Sequence, residues 1–195
     1  MRSSGSDSRI AWQGRSWRLL VHTSQAPDGS IVERGMVEHP GAVVLVPMRK
    51  TERGFEVLML QQYRRVLDES ILELPAGTRE GQEPWLTCAQ RELREETGYR
   101  ADHFQELGRC WPAPGLSNEV MSIYLATGLH PDPLSQDSDE IIEVRPFLLQ
   151  ELVEMALNGS LHDAKSVVGI LRSAYFLQNK SSAQGEFSEQ VAGSN

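Results

Sequence analysis

The sequence predicts an α/β fold in which a mixed β-sheet carries helices on its faces. The evidence is the order of patterns along the chain, which runs strands, one helix, strands and then helices. Two apolar-rich segments, 41–50 and 55–64, have the composition of central strands and are joined by a short turn at 52–54. With 195 residues and 39% hydrophobic content, the chain can bury one substantial core, and no change in composition requires a second large domain.

The remaining elements follow in chain order. A hairpin with strands at 17–23 and 31–39 surrounds a turn at 27–29, where proline, aspartate and glycine follow one another. A short strand is predicted at 71–76, directly before the central helix. Beyond that helix the sequence predicts three strands and then two closing helices, at 104–112, 120–127, 141–146, 149–157 and 165–178.

The predicted domain organisation is one main domain between polar ends. The segments 1–14 and 180–195 are rich in polar residues and glycine, so we expect them to be disordered tails. The hairpin region covers 15–38 and the main domain covers 39–179. The chemistry is therefore expected in the main domain rather than in the tails.

The segment 77–99 frames one helix with glycines and concentrates acidic residues on it. Pro84 suits the first helical turn, where a missing N–H is harmless, and Gly98 can close the helix in a left-handed conformation. An apolar stripe opposite the acidic residues is expected to pack against the rest of the fold. The stripe comprises Leu86, Ala89 or Gln90, Leu93 and Thr97.

Three glutamates of this helix are predicted to share one face. Glu92, Glu95 and Glu96 lie at positions i, i+3 and i+4, so their side chains project over the same patch of surface. Such close like charges cost roughly 0.3 kcal/mol per pair on a helix. A hard divalent cation that takes oxygen ligands would remove this cost, so the pattern predicts a Mg²⁺ site. The alternative is an ordinary solvated face.

Charge and composition exclude several functional classes. The formal net charge of −8 argues against a nucleic-acid partner, because backbone binding needs clustered lysines and arginines. The sequence has no long apolar run, and its polar start lacks the apolar core of a signal peptide. We therefore expect a cytoplasmic protein with no membrane partner. Cys88 and Cys110 are expected to be reduced, partly buried thiols rather than a disulfide framework.

The residues of the segment 77–99 resemble the Nudix box, G-x5-E-x7-R-E-U-x-E-E-x-G-U, in which U is an aliphatic residue. Only the final position departs from the pattern, because Tyr99 replaces the aliphatic residue there. The resemblance implies a Nudix α/β/α sandwich with a mixed sheet and a metal-dependent hydrolase. Every other fixed position is filled, by Gly77, Glu83, Arg91, Glu92, Leu93, Glu95, Glu96 and Gly98.

Further motifs are similar to those of the ADP-ribose pyrophosphatase subfamily: HPGAVV at 39–44, QYR at 62–64, ELPAG at 73–77 and a proline loop at 112–115. Pro114 lies sixteen residues beyond Gly98, as the subfamily's proline does. The resemblance implies hydrolysis of ADP-ribose to AMP and ribose 5-phosphate with Mg²⁺, or with Mn²⁺. It also implies a homodimer that exchanges the N-terminal hairpin. The alternatives are another nucleoside diphosphate substrate, such as a nucleotide sugar, dinucleotide or FAD, and a non-catalytic ADP-ribose sensor.

The chemistry of diphosphate cleavage requires charge neutralisation of the phosphate and a positioned water. Glu92 and Glu96 are the preferred metal ligands, with Glu95 as the third. The resemblance adds the backbone carbonyl of Ala76. Glu83 and Arg91 are expected to form an ion pair that ties the loop to the helix, rather than to contact substrate.

The general base is predicted to be a carboxylate, in one of two places. In many similar enzymes a glutamate of the box is the general base, and the corresponding candidate here is Glu95. The resemblance to the ADP-ribose pyrophosphatase subfamily implies instead a carboxylate on a later mobile loop. The candidate loop here is 135–140. Glu140 is preferred, because it adjoins an apolar strand, and Asp139 and Asp137 follow it; a solvated acidic turn is the alternative.

The resemblance places Arg34 and Arg64 at positions similar to substrate-binding arginines, and guanidinium groups match phosphate geometry. Glu119 is a candidate contact for ribose hydroxyls, with a simple turn residue as the alternative. Aromatic side chains could stack on adenine, although each is as well explained by packing. They are Trp17, Tyr63 and Trp111.

Overall fold

The computed structural model describes residues 7–135 and 142–192, with side chains for 8–135 and 142–180. The described residues form a three-stranded sheet, a seven-stranded sheet and three helices. In chain order the elements are β1 (Asp7–Gln13), β2 (Arg18–Gln25), β3 (Ile31–Glu38), β4 (Ala42–Thr51), β5 (Gly54–Arg64), β6 (Glu69–Glu73), β7 (Ala76–Thr78), α1 (Trp85–Thr97), β8 (Tyr99–Cys110), β9 (Met121–Pro131), β10 (Ile142–Leu148), α2 (Leu149–Asn158) and α3 (Ala164–Ala192).

The larger sheet is mixed, as predicted. Its main path has the order β10, β5, β4, β9 and β8, while β6 pairs with β5 and β7 pairs with β4. The β4 and β9 strands are parallel, with Val44 opposite Ile123, and the other pairs are antiparallel. The central position of β4 explains its apolar composition, because both of its faces are covered.

Alternate residues of β4 pack on opposite faces of this sheet. Val43 and Leu45 are fully buried on the face that packs against α1. Val44, Val46 and Met48 join the larger core, to which α2 contributes Leu152 and α3 contributes Ile170. One helix on one face and two on the other make an α/β/α sandwich, which confirms the predicted fold class.

The strand predicted at 71–76 is instead two short strands, β6 and β7. They are separated by Leu74 and Pro75, and proline has no N–H to donate to a ladder. The Pro75 carbonyl still accepts a hydrogen bond from the Leu45 N–H at 2.8 Å. At this break the chain stops pairing with β5, the partner of β6, and begins to pair with β4, the partner of β7. The residues of β7 then lie next to α1.

The N-terminal sheet contains the predicted hairpin, formed by β2 and β3, with one additional strand. The structure describes 7–13 as β1, although the sequence predicts a disordered tail there. Pairing with β2 stabilises β1 through backbone hydrogen bonds rather than through burial, since Ile10 is 54% exposed and Trp12 is 49% exposed. A segment held by backbone pairing carries no strong apolar signature in the sequence.

The last helix also differs from the prediction. It continues to Ala192, whereas the sequence places its end at 178 and a disordered tail from 180. The segment after 178 contains no proline, so it carries no strong signal to end a helix. In the described part of the chain, no helix is long and apolar enough to span a membrane.

Candidate active site

Both ends of α1 are as predicted. Pro84 is the residue before the first helical turn, with ψ of 142°, and its missing N–H costs no helical hydrogen bond. Gly98 ends the helix with φ of 77°, a left-handed conformation that favours glycine, and its N–H donates to the Arg94 carbonyl at 3.1 Å. The helix is therefore fixed at both termini, which suits a rigid site.

The buried stripe of α1 matches the prediction at Ala89, Leu93 and Thr97 and differs from it at Leu86. Leu86 is 46% exposed and Gln90 is exposed, whereas Cys88, Ala89 and Leu93 are fully buried. In the first half of the helix Cys88 faces inward instead of Leu86, because this half lies over Gly77 as well as over β4. Only the sheet partner decides which of several adjacent apolar positions faces inward.

The acidic face adjoins the buried face and does not lie opposite it, which corrects the prediction. Glu92 is 8% exposed and Glu96 is 4% exposed, although both are charged residues on a short helix. Burial of a carboxylate requires hydrogen-bond partners. Glu96 Oε2 accepts the Ala76 N–H at 2.8 Å, so β7 supplies part of this compensation. The two side chains are thus preorganised groups and not a solvated ridge.

Gly77 is required by close contact with this face. A Cβ atom at this position would lie 1.7 Å from Glu92 Cδ and 2.0 Å from Glu92 Oε1. The carboxylate therefore occupies the space that any other residue type would fill. This explains in physical terms why the box pattern has glycine before its glutamates.

Arg91 connects the loop to the helix through all three of its nitrogens. Nε and Nη2 donate to the two carboxylate oxygens of Glu83, at 3.1 and 2.9 Å. Nη1 donates to Glu92 at 2.7 Å and to Glu95 at 2.9 Å, while Nη2 also approaches the Thr78 carbonyl at 3.3 Å. The structure thus contains the predicted Glu83–Arg91 ion pair.

These contacts shift both titrations. Hydrogen bonds from Arg91 lower the pKa of Glu83, despite its partial burial. Hydrogen bonds with Glu83 raise the pKa of Arg91, aided by the charge of Glu92 and by hydrogen bonds with Glu92 and Glu95. Arg91 is therefore a permanent cation that brings three carboxylates together.

The donor set fits a hard divalent cation. Glu92, Glu95 and Glu96 supply carboxylate oxygens and line a pocket of about 240 Å³ together with Ala76 and Gly77. Within the described residues, no three metal-ligating side chains already converge into a preformed cluster, and Arg91 joins Glu92 to Glu95 instead. The oxygen chemistry of the three glutamates fits Mg²⁺ or Mn²⁺.

A larger cleft of about 460 Å³ adjoins the acidic pocket. The two share Arg64, Ala76, Gly77 and Thr78 in their linings. The β7 strand is thus a common wall of the acidic pocket and the larger cleft. The other walls come from the β5–β6 turn, the loop after β8 and the start of α3.

Arg64, a predicted substrate-binding residue, lies at the junction of the two clefts. Its Nε and Nη2 donate to Glu73 Oε1 and Oε2, each at 2.8 Å, in a bidentate pair. Burial by itself would lower the pKa of Arg64, but the hydrogen bonds and charge of Glu73 raise it overall. The guanidinium remains charged and held in one orientation beside the cleft.

Glu119 also lines the cleft, in agreement with its predicted location. Its Oε1 lies 3.7 Å from Nδ1 of His39, which accepts the Gly41 N–H at 3.1 Å. Burial lowers the pKa of His39, and the charge of Glu119 opposes this shift. A neutral His39 with Nδ1 as acceptor is therefore the form that matches its contact with Gly41.

Other predicted residues are not brought to the site within this chain. Arg34 lies on β3, opposite His22, and is exposed; it is not among the described residues that line either cleft. Pro114 is exposed in the loop that contributes Pro112 to the larger cleft. Its role therefore stays a prediction, as does that of Arg34.

The preferred base candidates lie outside the described residues, since Glu140, Asp139 and Asp137 all belong to 136–141. The aromatic candidates have other partners. Trp17 packs against Trp12 with ring centroids 4.5 Å apart, and the Tyr63 hydroxyl donates to Asp68 at 2.6 Å. Trp111 is 67% exposed. None of these contacts decides adenine stacking.

Sequence reasoning missed three charged residues that surround Arg64. Glu73, Asp163 and Lys165 all line the larger cleft. Glu73 is 1% exposed and Lys165 is 9% exposed, which is rare for such residues unless they are paired. The sequence HDAKS at 162–166 gave one indication of these residues, because an amphipathic stripe does not explain a lysine close to an aspartate at a helix start.

The thiols of Cys88 and Cys110 are free, and burial raises the pKa of Cys88.

Comparisons with known proteins are consistent with this geometry. A family model described as the NUDIX domain matches residues 38–167. The chain is 33% identical over 178 residues to the ADP-ribose pyrophosphatase of Bacillus subtilis, covering 90% of this chain and 92% of that protein. It is 37% identical over 164 residues to the ADP-ribose pyrophosphatase of Mycobacterium tuberculosis, covering 81% and 76%.

A relative with a different name is as similar. The methanol dehydrogenase activator of Bacillus methanolicus is 33% identical over 162 residues, covering 82% of this chain and 85% of that protein. Among solved structures, the crystal structure of an ADP compounds hydrolase matches with a TM-score of 0.75 and 19% identity, covering 89% of this chain and 93% of that chain. At this identity the structural match supports the fold alone.

Proposed function

The chain belongs to the Nudix family and is a pyrophosphohydrolase of nucleoside diphosphate derivatives, and from this premise we propose that it hydrolyses ADP-ribose to AMP and ribose 5-phosphate with Mg²⁺. Mn²⁺ is an acceptable substitute in the proposal, because its ligand preferences are close to those of Mg²⁺. The proposal includes a homodimer in which the N-terminal sheet of one subunit, with Arg34, contributes to the site of the other.

One observation carries the proposal. The acidic pocket and the larger cleft share the wall at 76–78 and Arg64, so a diphosphate can lie between carboxylates and a fixed guanidinium. The volume of about 460 Å³ lies within the range of small-molecule sites. Two relatives named as ADP-ribose pyrophosphatases support the choice of substrate.

Glu92, Glu95 and Glu96, with the Ala76 carbonyl, would hold Mg²⁺, which when bound supplies charge neutralisation of the phosphates and an acidified water. The protein's own groups do the positioning. Arg64 donates hydrogen bonds to a phosphate oxygen in the cleft. Arg91 keeps Glu92 and Glu95 close to one another without leaving their negative charges unpaired.

The proposed base is Glu140, with Glu95 and then Asp139 as the alternatives. Glu95 Oε2 accepts a hydrogen bond from Arg91 at 2.9 Å, so this oxygen already has a donor partner within the box. The hydrogen bond between Arg91 and Glu95 therefore favours a general base outside the Nudix box. Glu119 is proposed to contact hydroxyl groups of a ribose, because its carboxylate lines the cleft beside Thr78.

The experiment is a substrate panel with purified protein and Mg²⁺. It compares ADP-ribose with ADP-glucose, GDP-mannose, NADH, FAD and diadenosine compounds by kcat/KM, with Glu96→Gln as the inactive control. We expect ADP-ribose to have the highest value. A higher value for another compound would move the proposal to that substrate, and binding without turnover of any compound would favour the sensor alternative.

A further inference from the structure

The start of α3 places a buried lysine behind the arginine of the cleft. Lys165 Nζ donates to Glu73 Oε2 at 2.5 Å and to Asp163 Oδ2 at 2.9 Å. Glu73 in turn holds Arg64 through two hydrogen bonds of 2.8 Å. We name these four residues, Arg64, Glu73, Asp163 and Lys165, the Arg64 cluster.

The Arg64 cluster has a balanced formal charge, with two cations and two carboxylates. Glu73 is 1% exposed and shares its two oxygens between Arg64 and Lys165. Without Lys165, the negative charges of Glu73 and Asp163 would face Arg64 alone, and the wall of the cleft would carry a net negative charge. A nucleoside diphosphate is an anion, so such a wall would repel it.

We propose that Lys165 is a positioning residue for the substrate arginine: by pairing with Glu73 and Asp163, it leaves Arg64 oriented and electrostatically available to the diphosphate. The inference rests on the proposed use of Arg64 for phosphate binding. Lys165 acts through its neighbours, because its ammonium group already has two carboxylate partners and its side chain is 8% exposed.

The same segment makes an uncharged contact with the Arg64 cluster, which serves as a control for the effect of charge. Ser166 is fully buried, and its Oγ accepts the Leu74 N–H at 2.6 Å and donates to Asp163 at 2.5 Å. This contact ties α3 to the chain between β6 and β7 without adding a charge. Removal of the hydroxyl group should therefore weaken the junction and leave the charge of the Arg64 cluster unchanged.

The test compares KM at pH 8 and its dependence on salt for Lys165→Met, Lys165→Arg, Asp163→Asn and the double variant Asp163→Asn with Lys165→Met. Lys165→Met should raise KM on the order of tenfold at low salt, less at high salt, because one uncompensated charge faces the substrate. Lys165→Arg should keep KM within about threefold of the wild type. The double variant restores neutrality and should recover most of the affinity.

Ser166→Ala should lower the melting temperature and change KM less than Lys165→Met does, because it removes a hydrogen bond to Asp163 but no charge. If Lys165→Met does not fold, Asp163→Asn alone tests the proposal. This variant removes one negative charge and leaves the Arg64 cluster with a net positive charge, so KM should fall. Unchanged KM and salt dependence in the single variants would overturn the proposal. So would a double variant as weak as Lys165→Met, since this would show direct substrate contact. All ratios use the best substrate of the panel, so a low rank of ADP-ribose would refute the proposed substrate and not the role of Lys165.

Discussion

At the scale of single residues, the site depends on how closely Gly77 and Glu92 approach each other. A Cβ atom on Gly77 would lie within 2.1 Å of three atoms of the Glu92 carboxylate. Glu92 cannot move freely away, because Arg91 holds it at 2.7 Å and its surroundings are buried. The Glu92 carboxylate therefore keeps its position only because Gly77 has a hydrogen atom where alanine would have a methyl group.

We predict that Gly77→Ala lowers kcat on the order of a hundredfold, because the displaced carboxylate misaligns the metal donors. Folding stability should fall by about 1–3 kcal/mol through overpacking. Steady-state kinetics and urea unfolding measure the two effects. Gly115→Ala is the matched control, since a Cβ atom at Gly115 meets nothing within 4 Å. Equal behaviour of the two variants would contradict the prediction.

A second residue-scale prediction concerns the base. Glu140→Gln should lower kcat on the order of a hundredfold or more with little change in KM, because a general base acts in the transition state. Glu95→Gln should lower kcat less, because Glu95 is only one of three proposed metal donors and its Oε2 already accepts a hydrogen bond from Arg91. The measurement is kcat and KM for both variants and for Asp139→Asn. A larger loss for Glu95→Gln would return the base to the box.

At the scale of elements, the loop before α1 is held to the helix by the Glu83–Arg91 pair. Both side chains are mostly buried, with 13% and 22% exposure. Arg79 adds to the same junction, because its Nε and Nη2 donate to the Glu83 carbonyl and its guanidinium lies 4.2 Å from the Trp85 ring. The loop is therefore a rigid support for the carboxylates of α1.

This pair should make stability depend on pH. The pKa of Glu83 is lowered from its ordinary value of 4.5 in the folded protein, so its contribution is complete above pH 4.5 and is lost as the pH falls through the lowered pKa. Glu83→Gln should therefore destabilise the protein by about 2 kcal/mol at pH 7 and by less at pH 3. Urea unfolding at both pH values measures the difference.

The control for this prediction is Glu52→Gln, because Glu52 is exposed in the turn between β4 and β5. We expect it to leave stability within about 0.5 kcal/mol of the wild type at both pH values. A constant difference between Glu83→Gln and the wild type from pH 7 to pH 3 would mean that the ionised carboxylate does not stabilise the loop.

At the scale of the whole molecule, the N-terminal sheet is a separate three-stranded unit with exposed apolar side chains. Ile31 is 68% exposed, and Trp12 and Trp17 form an aromatic pair at its surface. Arg34 lies on this sheet and is exposed. A second subunit would both cover the apolar residues and receive Arg34, which is the arrangement included in the proposal.

A mixing experiment tests the shared site. Arg34→Ala and Glu96→Gln should each be nearly inactive at low substrate concentration, because one lacks the proposed substrate arginine and the other a proposed metal donor. Dimers that contain one subunit of each should hold one intact site, so co-refolded mixtures should recover about a quarter of the wild-type activity. Light scattering measures the oligomeric state. A monomer, or a mixture without recovery, would contradict the shared site.

Much of the fold could be predicted because its signals are local. The apolar runs of β4 and β5 indicated central strands, and Pro84 and Gly98 marked both ends of α1. The extra strand β1 was missed because it is held by backbone pairing and exposes its large apolar residues. The division of 71–76 at Pro75 was missed because it depends on which neighbour each half pairs with.

The site was predicted in part for the same reason. Spacing along one helix predicted that Glu92, Glu95 and Glu96 share a surface and that Arg91 pairs with Glu83. In the structure the three glutamates line one pocket, and the ion pair is present. The Arg64 cluster joins residues that are 92 positions apart in the chain, Glu73 and Lys165. No local pattern reports such a contact, because it exists only after α3 packs across the sheet.

By itself, the sequence determined the local frame of the candidate site: a short helix with glutamates on one face, an arginine directly before them and a glycine at each end of the segment. These features depend on covalent order and helical periodicity, which need no information about distant parts of the chain. Only the tertiary structure decided that Glu92 and Glu96 are buried rather than solvated, and that Lys165 stands behind Arg64. Burial and charge pairing depend on which surfaces meet, and that choice is made when the helices close on the sheet.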